Sequence, residues 1–139
     1  MAETKYFRMT CKDAPAKVTL VTTGTPAAVT LSYRLNGGAW ENFDNEAGVD
    51  LNPGDYVEFK GDNVRIGEAT NKYRTFTITG DGKIKLSGDI TTLLYPEGNL
   101  TELATNQSNC FIYLFKEQKN IIDAGDMVIP IEKCAGSCF

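Results

Sequence analysis

Apolar and polar residues alternate through most of the first half of the chain, the two-residue period of half-buried strands. Phe7, Met9 and Cys11 interleave with Tyr6, Arg8 and Thr10, and Val18, Leu20 and Thr22 form a second run. Val29, Leu31, Tyr33 and Leu35 fall on one face while Thr30, Ser32 and Arg34 fall on the other. Asn36-Gly37 follows, a pair suited to the positive φ angles of a tight hairpin turn, and the return strand carries Trp40 and Phe43. Pro53-Gly54-Asp55 predicts another turn, because proline fixes φ and glycine accepts the left-handed position. Tyr56 to Lys60 then alternates with Val57 and Phe59 inward, and the polar stretch from Gly61 to Asn71 reads as a loop. Phe76 and Ile78 alternate with Thr75, Thr77 and Thr79, Gly80-Asp81-Gly82 turns the chain, and Ile84 and Leu86 return it. About seven short strands separated by turns predict a β-sandwich over residues 1–87.

From Gly88 the alternation gives way. Ile90, Leu93 and Leu94 are closely spaced, and Asn109 to Phe115 is a dense apolar run followed by Lys116-Glu117-Gln118-Lys119. That length fits a short buried helix better than a strand, although periodicity alone does not separate the two. Ile121 to Ala124 and Met127 to Pro130 follow. No low-complexity linker divides the chain, so residues 88–139 are expected to form a second subregion packed against the first.

A chain of 139 residues has room for one domain, and one of this size buries roughly two thirds of its unfolded surface without help from metal or disulfides. Net charge is −4 and no basic cluster is present, which argues against nucleic acid and anionic membranes as partners. No apolar run approaches the ~20 residues of a membrane-spanning helix. The start, Met-Ala-Glu-Thr-Lys, lacks the apolar core of a secretory leader, so a complete polypeptide used without export is expected. Cys11, Cys110, Cys134 and Cys138 sit among apolar neighbours and read first as buried thiols. A disulfide remains an alternative, whereas Cys134-x-x-x-Cys138 lacks the paired spacing or histidine partners of a zinc site.

Histidine is absent, which removes the commonest general acid/base and metal ligand. Ser32, Ser87, Ser108 and Ser137 therefore have no imidazole to activate them, and no Ser-x-x-Lys occurs. Gly80-Asp81-Gly82 joins two strands without opening a phosphate-binding helix. Asp44, Glu46, Asp50 and Asp55 crowd one region without the ligand spacing of an EF-hand and read as a solvated acidic face. Neither a catalytic site nor a metal or cofactor site is expected. Trp40 reads as a core residue, with a ligand-stacking platform as the alternative, and Tyr33, Tyr56 and Tyr73 form a candidate aromatic contact face.

Phe111, Leu114-Phe115, Asn120-Ile121, Asp123-Ala124, Met127, Ile129-Pro130 and Cys138-Phe139 match a pattern of aromatic–x–x–Leu-Phe, polar turn, Asn-Leu-x-x-Ala, Leu-x-Leu-Pro and a closing Cys-aromatic pair. In this respect the stretch from Asn109 to Phe139 resembles one unit of the BspA-like leucine-rich repeats on surface proteins of gut anaerobes. Phe76 to Lys83 and Ser87 to Tyr95 resemble the segment leading into such arrays, and Tyr33 to Trp40 and Leu51 to Asp62 resemble their N-terminal sandwich. Two departures stand out: the chain carries one repeat, and Glu117-Gln118-Lys119 replaces the Gly-Cys-Thr common in the repeat's turn.

The resemblance implies a mainly β fold: an immunoglobulin-like sandwich followed by a single leucine-rich-repeat-like α/β unit over residues 88–139. A lone solenoid repeat does not bury its apolar face by itself. Ile129, Ile131, Cys134 and Phe139 are accordingly the candidate docking interface, with burial of Phe139 in its own core as the alternative. The function expected is a non-catalytic structural module that binds other proteins or itself. It is read as a bacteriophage virion component, such as a capsid decoration, auxiliary or fibre-associated protein, assembled in the host cytoplasm. An N-terminal fragment of a bacterial cell-surface adhesion protein is the second reading, and a small enzyme or carbohydrate-active module the third. A glycan partner is compatible with the sequence, but no residue pattern in it calls for one.

Overall fold

The structure is a computed structural model and describes residues 6–103, 107 and 109–133. Alternating residues build a mainly β fold of two sheets, a sandwich. The larger sheet contains β1 (Phe7–Cys11), β3 (Leu31–Leu35), β4 (Glu41–Asn42), β6 (Tyr56–Gly61), β8 (Ile84–Asp89) and β9 (Ile121–Val128), in the order β4-β3-β6-β1-β8-β9. The smaller contains β2 (Ala16–Thr23), β5 (Val49–Leu51) and β7 (Tyr73–Gly80), in the order β5-β2-β7. The pairing between these strands is antiparallel except for β8 with β9, which run parallel.

The turns follow the predicted chemistry. Asn36 and Gly37 take φ of 52° and 75° between β3 and β4. Gly54, at φ 90°, closes the turn between β5 and β6, with Asp55 N–H donating to the Asn52 carbonyl at 2.9 Å. After β8, Asp89 caps a short 3-10 helix (Ile90–Leu93), its Oδ1 accepting from Thr91 N–H at 2.8 Å and from the Thr91 hydroxyl at 2.6 Å. The boundary drawn after Ser87 on sequence grounds falls inside β8.

Rings from both sheets meet in the middle. Phe7 of β1 lies 6.2 Å from Phe59 of β6 and 5.7 Å from Phe76 of β7, and Phe59 and Phe76 are 5.1 Å apart. Phe115, from the C-terminal half, joins the same cluster at 5.9 Å from Phe7 and 6.2 Å from Phe76. Residues on both sides of Ser87 therefore share one core, which also takes in Leu93, Leu94, Leu103, Cys110, Phe111 and Leu114.

The segment 109–118 departs from the expected helix. It is a succession of tight turns in which Asn109, Tyr113 and Glu117 all adopt left-handed φ, at 58°, 56° and 60°. Hydrogen bonds run from Ile112 N–H to Asn109 O, from Leu114 N–H to Phe111 O and from Lys116 N–H to Tyr113 O, each at 3.1 Å. A left-handed residue every fourth position prevents the i to i−4 ladder of an α-helix from propagating. The same period brings an acceptor round to the sandwich at each turn. Cys110 O accepts from Ile66 and Gly67 N–H at 3.0 and 2.7 Å, Leu114 O from Phe76 N–H at 2.8 Å, and Gln118 Oε1 from Ile78 N–H at 2.8 Å. This turn ribbon thus satisfies the backbone donors along the outer edge of β7. It approaches so closely that a Cβ on Gly67 would sit 2.8 Å from Ile112 Cγ2.

Phe111, fully enclosed where the ribbon enters the core, is expected to cost about 3–5 kcal/mol on replacement by alanine. Glu117→Gly relieves a left-handed side chain at φ 60° and is expected to stabilise by about 1 kcal/mol. Urea unfolding of the two variants measures both; a neutral Phe111→Ala would show that the ribbon lies outside the cooperative fold.

Candidate functional site

β9 ends the larger sheet, with no strand on its outer flank among the described residues. Its residues are mostly exposed, including Ile122 at 56% and Val128 at 45%, and Ile129 just beyond the strand is 44% exposed. The middle of the strand is irregular: Ile84 pairs Ile121, Lys85 pairs Asp123 and Ser87 pairs Asp126, so the register slips twice. Lys85 Nζ lies 2.6 Å from Asp126 Oδ2 and anchors this stretch. Bulges and charges of this kind shield an edge from stray strands. After Asp126 the ladder is regular, with Gly88 opposite Met127 and Asp89 opposite Val128, and this end carries the exposed Val128 and Ile129.

Of the four predicted docking residues, Ile129 is exposed, whereas Ile131 is half-buried against the core. Glu132 and Lys133 N–H both donate to Thr101 O, holding this stretch beside 101–103. Cys134 and Phe139 lie outside the described residues. Val128, which no sequence pattern singled out, completes the exposed end of β9.

The three tyrosines of the predicted contact face are not brought together. Tyr33 packs inward, its ring 5.9 Å from the buried Phe43. Tyr56 lies on the opposite, solvent-facing side of the larger sheet, under the Arg8 guanidinium at 4.1 Å. Tyr73 belongs to the smaller sheet and meets Tyr113 of the turn ribbon edge-on at 4.9 Å. Residues one apart in a strand face opposite sides, and Tyr33 and Tyr56 fall on opposite parities once β3 and β6 are in register.

Trp40 is not a core residue. It is half-buried on the outer face of the larger sheet, edge-to-face with Tyr6 at 4.8 Å. Arg34 Cζ lies 4.8 Å and Lys60 Nζ 4.3 Å from its ring centre. Beside it the cross-strand register places Glu58 directly between Arg34 on β3 and Arg8 on β1. Arg34 Nε donates to Glu58 Oε1 at 2.8 Å and Arg8 Nη2 to Oε2 at 3.0 Å, and the covered carboxylate is only 3% exposed. A buried carboxylate of this kind requires charged, hydrogen-bonded partners. The alternation Tyr6, Arg8 and Tyr56, Glu58, Lys60 marks a polar face in the sequence, but only the register reveals that these residues converge.

The remaining concavities offer less chemistry. A shallow cleft of about 360 Å³ is lined by Asp62, Asn63, Val64, Leu94, Tyr95, Leu100 and Gln107. Asn63 is spent on Thr30 and Leu93, Gln107 donates to Val64 O, and the Tyr95 hydroxyl donates to Glu97. In the acidic region Asp44 caps the N–H groups of Glu46 and Ala47, and Asp55 those of Asn52 and the Asn36 side chain, which holds both carboxyls below the usual range. Cys11 and Cys110 are free, buried thiols, as their apolar neighbours suggest. Burial pushes the Cys110 thiol up to about 12, and burial aided by Asp55 raises that of Cys11.

No known protein family matches the chain, and no curated protein or solved structure is significantly similar to it.

Two outcomes follow from these environments. Glu58→Gln leaves Arg8 and Arg34 with a neutral acceptor and is expected to cost about 1–3 kcal/mol in urea unfolding. Cys110 stays protonated in the folded chain while its unfolded thiol ionises near pH 9. Its contribution to stability is therefore complete below that pH and declines by about 1.4 kcal/mol per pH unit as pH rises toward 12. Chemical denaturation from pH 8 to 10.5 tests this, with Cys110→Ser expected to flatten the decline.

Proposed function

We propose that this chain is a non-catalytic docking module that joins a larger assembly through the C-terminal end of β9. The observation that carries the reading is an eight-residue edge strand with no strand on its outer flank among the described residues, whose regular end exposes Val128, with Ile129 exposed just beyond it. Unpaired strand edges bearing apolar side chains recruit a further strand, and pairing supplies backbone hydrogen bonds together with apolar burial. In this reading the protein is a bacteriophage virion component, a capsid decoration, auxiliary or fibre-associated protein, and its partner strand comes from another virion protein or a second copy. The β-rich sandwich, with one edge unpaired among the described residues, fits a part that is added to a preformed surface.

The parallel pairing of β8 with β9 favours a second reading. Leucine-rich-repeat arrays stack parallel strands rung by rung, and the turn ribbon supplies the crossover between these two. An immunoglobulin-like sandwich followed by such a unit over 88–139 is the arrangement of the BspA-like surface proteins. There β9 would receive the strand of a following repeat, as in an N-terminal fragment of a cell-surface adhesion protein.

The test is co-purification of the chain with assemblies formed when it is expressed together with its neighbouring genes. Val128→Lys with Ile129→Lys is expected to abolish co-purification while leaving the melting temperature within a few degrees, since both positions are exposed. Equal recovery of the variant would remove this end of β9 as the interface.

A further inference from the structure

We propose that the outer face of the larger sheet, at Trp40, Tyr6, Arg34 and Lys60, binds a carboxylate-bearing saccharide. Neutralising Glu58 requires one cation, yet Arg8 and Arg34 both reach it and Lys60 stands beside them. Lys60 has no carboxylate partner among the described residues. Among the described residues, the surroundings of Trp40 thus hold three cations against one buried carboxylate, a local excess of positive charge on a chain of net charge −4. Structural compensation of Glu58 leaves that excess unexplained.

The aromatic residues point the same way. Trp40 is the single tryptophan, and it lies on the solvent-facing side of the sheet, buttressed by the Tyr6 ring at 4.8 Å and 71°. An indole face carries negative quadrupolar charge and attracts the weakly positive C–H face of a sugar ring. Arg34 is fixed by its Nε bond to Glu58 and by the Tyr6 and Trp40 rings, at 5.1 and 4.8 Å. Its Nη groups make no hydrogen bond among the described residues, which leaves them free for a carboxylate. Lys60 rests over Trp40 on a flexible stem, so it can yield the ring face to a sugar and follow the acid group.

An open face without walls suits a segment of extended polymer better than an enclosed small molecule. Dense polyanions such as nucleic acid are disfavoured by the negative charge of the rest of the chain. An acidic peptide would satisfy the cations, but it offers the indole no flat ring face. A uronic-acid-type saccharide meets both requirements. The inference is independent of the β9 interface.

Because Trp40 is the only tryptophan, its fluorescence reports on this face directly. Titration of the full chain with oligogalacturonate is expected to give a saturable change that weakens with added salt. Lys60→Gln and Arg34→Lys should each weaken binding by about tenfold, the first through lost charge and the second through the lost guanidinium fork. Lys60→Gln is expected to melt as the wild type does, so the test survives even if Arg34→Lys unfolds. Neutral malto-oligosaccharides and poly-glutamate should produce little change. The proposal is overturned by no response to oligogalacturonate, by equal binding of the neutral sugar or of poly-glutamate, or by wild-type affinity in Lys60→Gln.

Discussion

A six-stranded sheet packed on a three-stranded one leaves apolar surface and backbone donors uncovered along the rim of the smaller sheet, and closing that rim is the constraint on which this structure depends. β7 must satisfy the N–H groups of Phe76 and Ile78 on its outer side, and the Phe7–Phe59–Phe76 cluster must be sealed from water. The turn ribbon over 109–118 does both. Its carbonyl and side-chain acceptors recur every fourth residue at Cys110, Leu114 and Gln118, while Phe111, Leu114 and Phe115 fill the core. Asn120 then hands the chain on, its carbonyl accepting from Ile84 N–H at 2.8 Å as β9 joins β8.

Most of the strands and turns up to β8 were legible because each depends on a local signal, whereas the three-residue β5 was not read from the sequence. Alternation at Phe7–Cys11 and Tyr56–Lys60, Asn36-Gly37 and Pro53-Gly54 all act within a few residues. The ribbon was not legible, because a short apolar run has the same composition whether it coils as an α-helix or as repeated turns. What decides is the left-handed conformation of Asn109, Tyr113 and Glu117, and of these only asparagine favours that region intrinsically. Tertiary hydrogen bonds to β7 supply the rest. Trp40, read as a core residue, and Tyr33, Tyr56 and Tyr73, read as one contact face, share a related reason: the face an aromatic residue occupies emerges only once the cross-strand register is known.

The larger sheet therefore presents two unrelated surfaces. Its edge at β9 is guarded in the middle by register slips, Asp123 and the Lys85–Asp126 pair, and among the described residues is unpaired toward the exposed Val128 and Ile129. Its outer face gathers aromatic rings and cations around the covered carboxylate of Glu58. An edge that takes a strand and a face that takes a ligand do not compete for the same residues. In the proposed reading, the chain is held in an assembly by the edge while its outer face stays displayed.

Native-state hydrogen exchange tests most directly whether a single core, closed by the ribbon, supports both surfaces. The amides of Phe76, Ile78 and Ile84, bonded to the ribbon and to Asn120, should exchange only through global unfolding, with the same free energy as the amides of the β1–β6 ladder. Exchange of these three at a distinctly lower free energy, with the β1–β6 ladder still protected, would show that residues 109–128 open as a separate unit and would contradict the account.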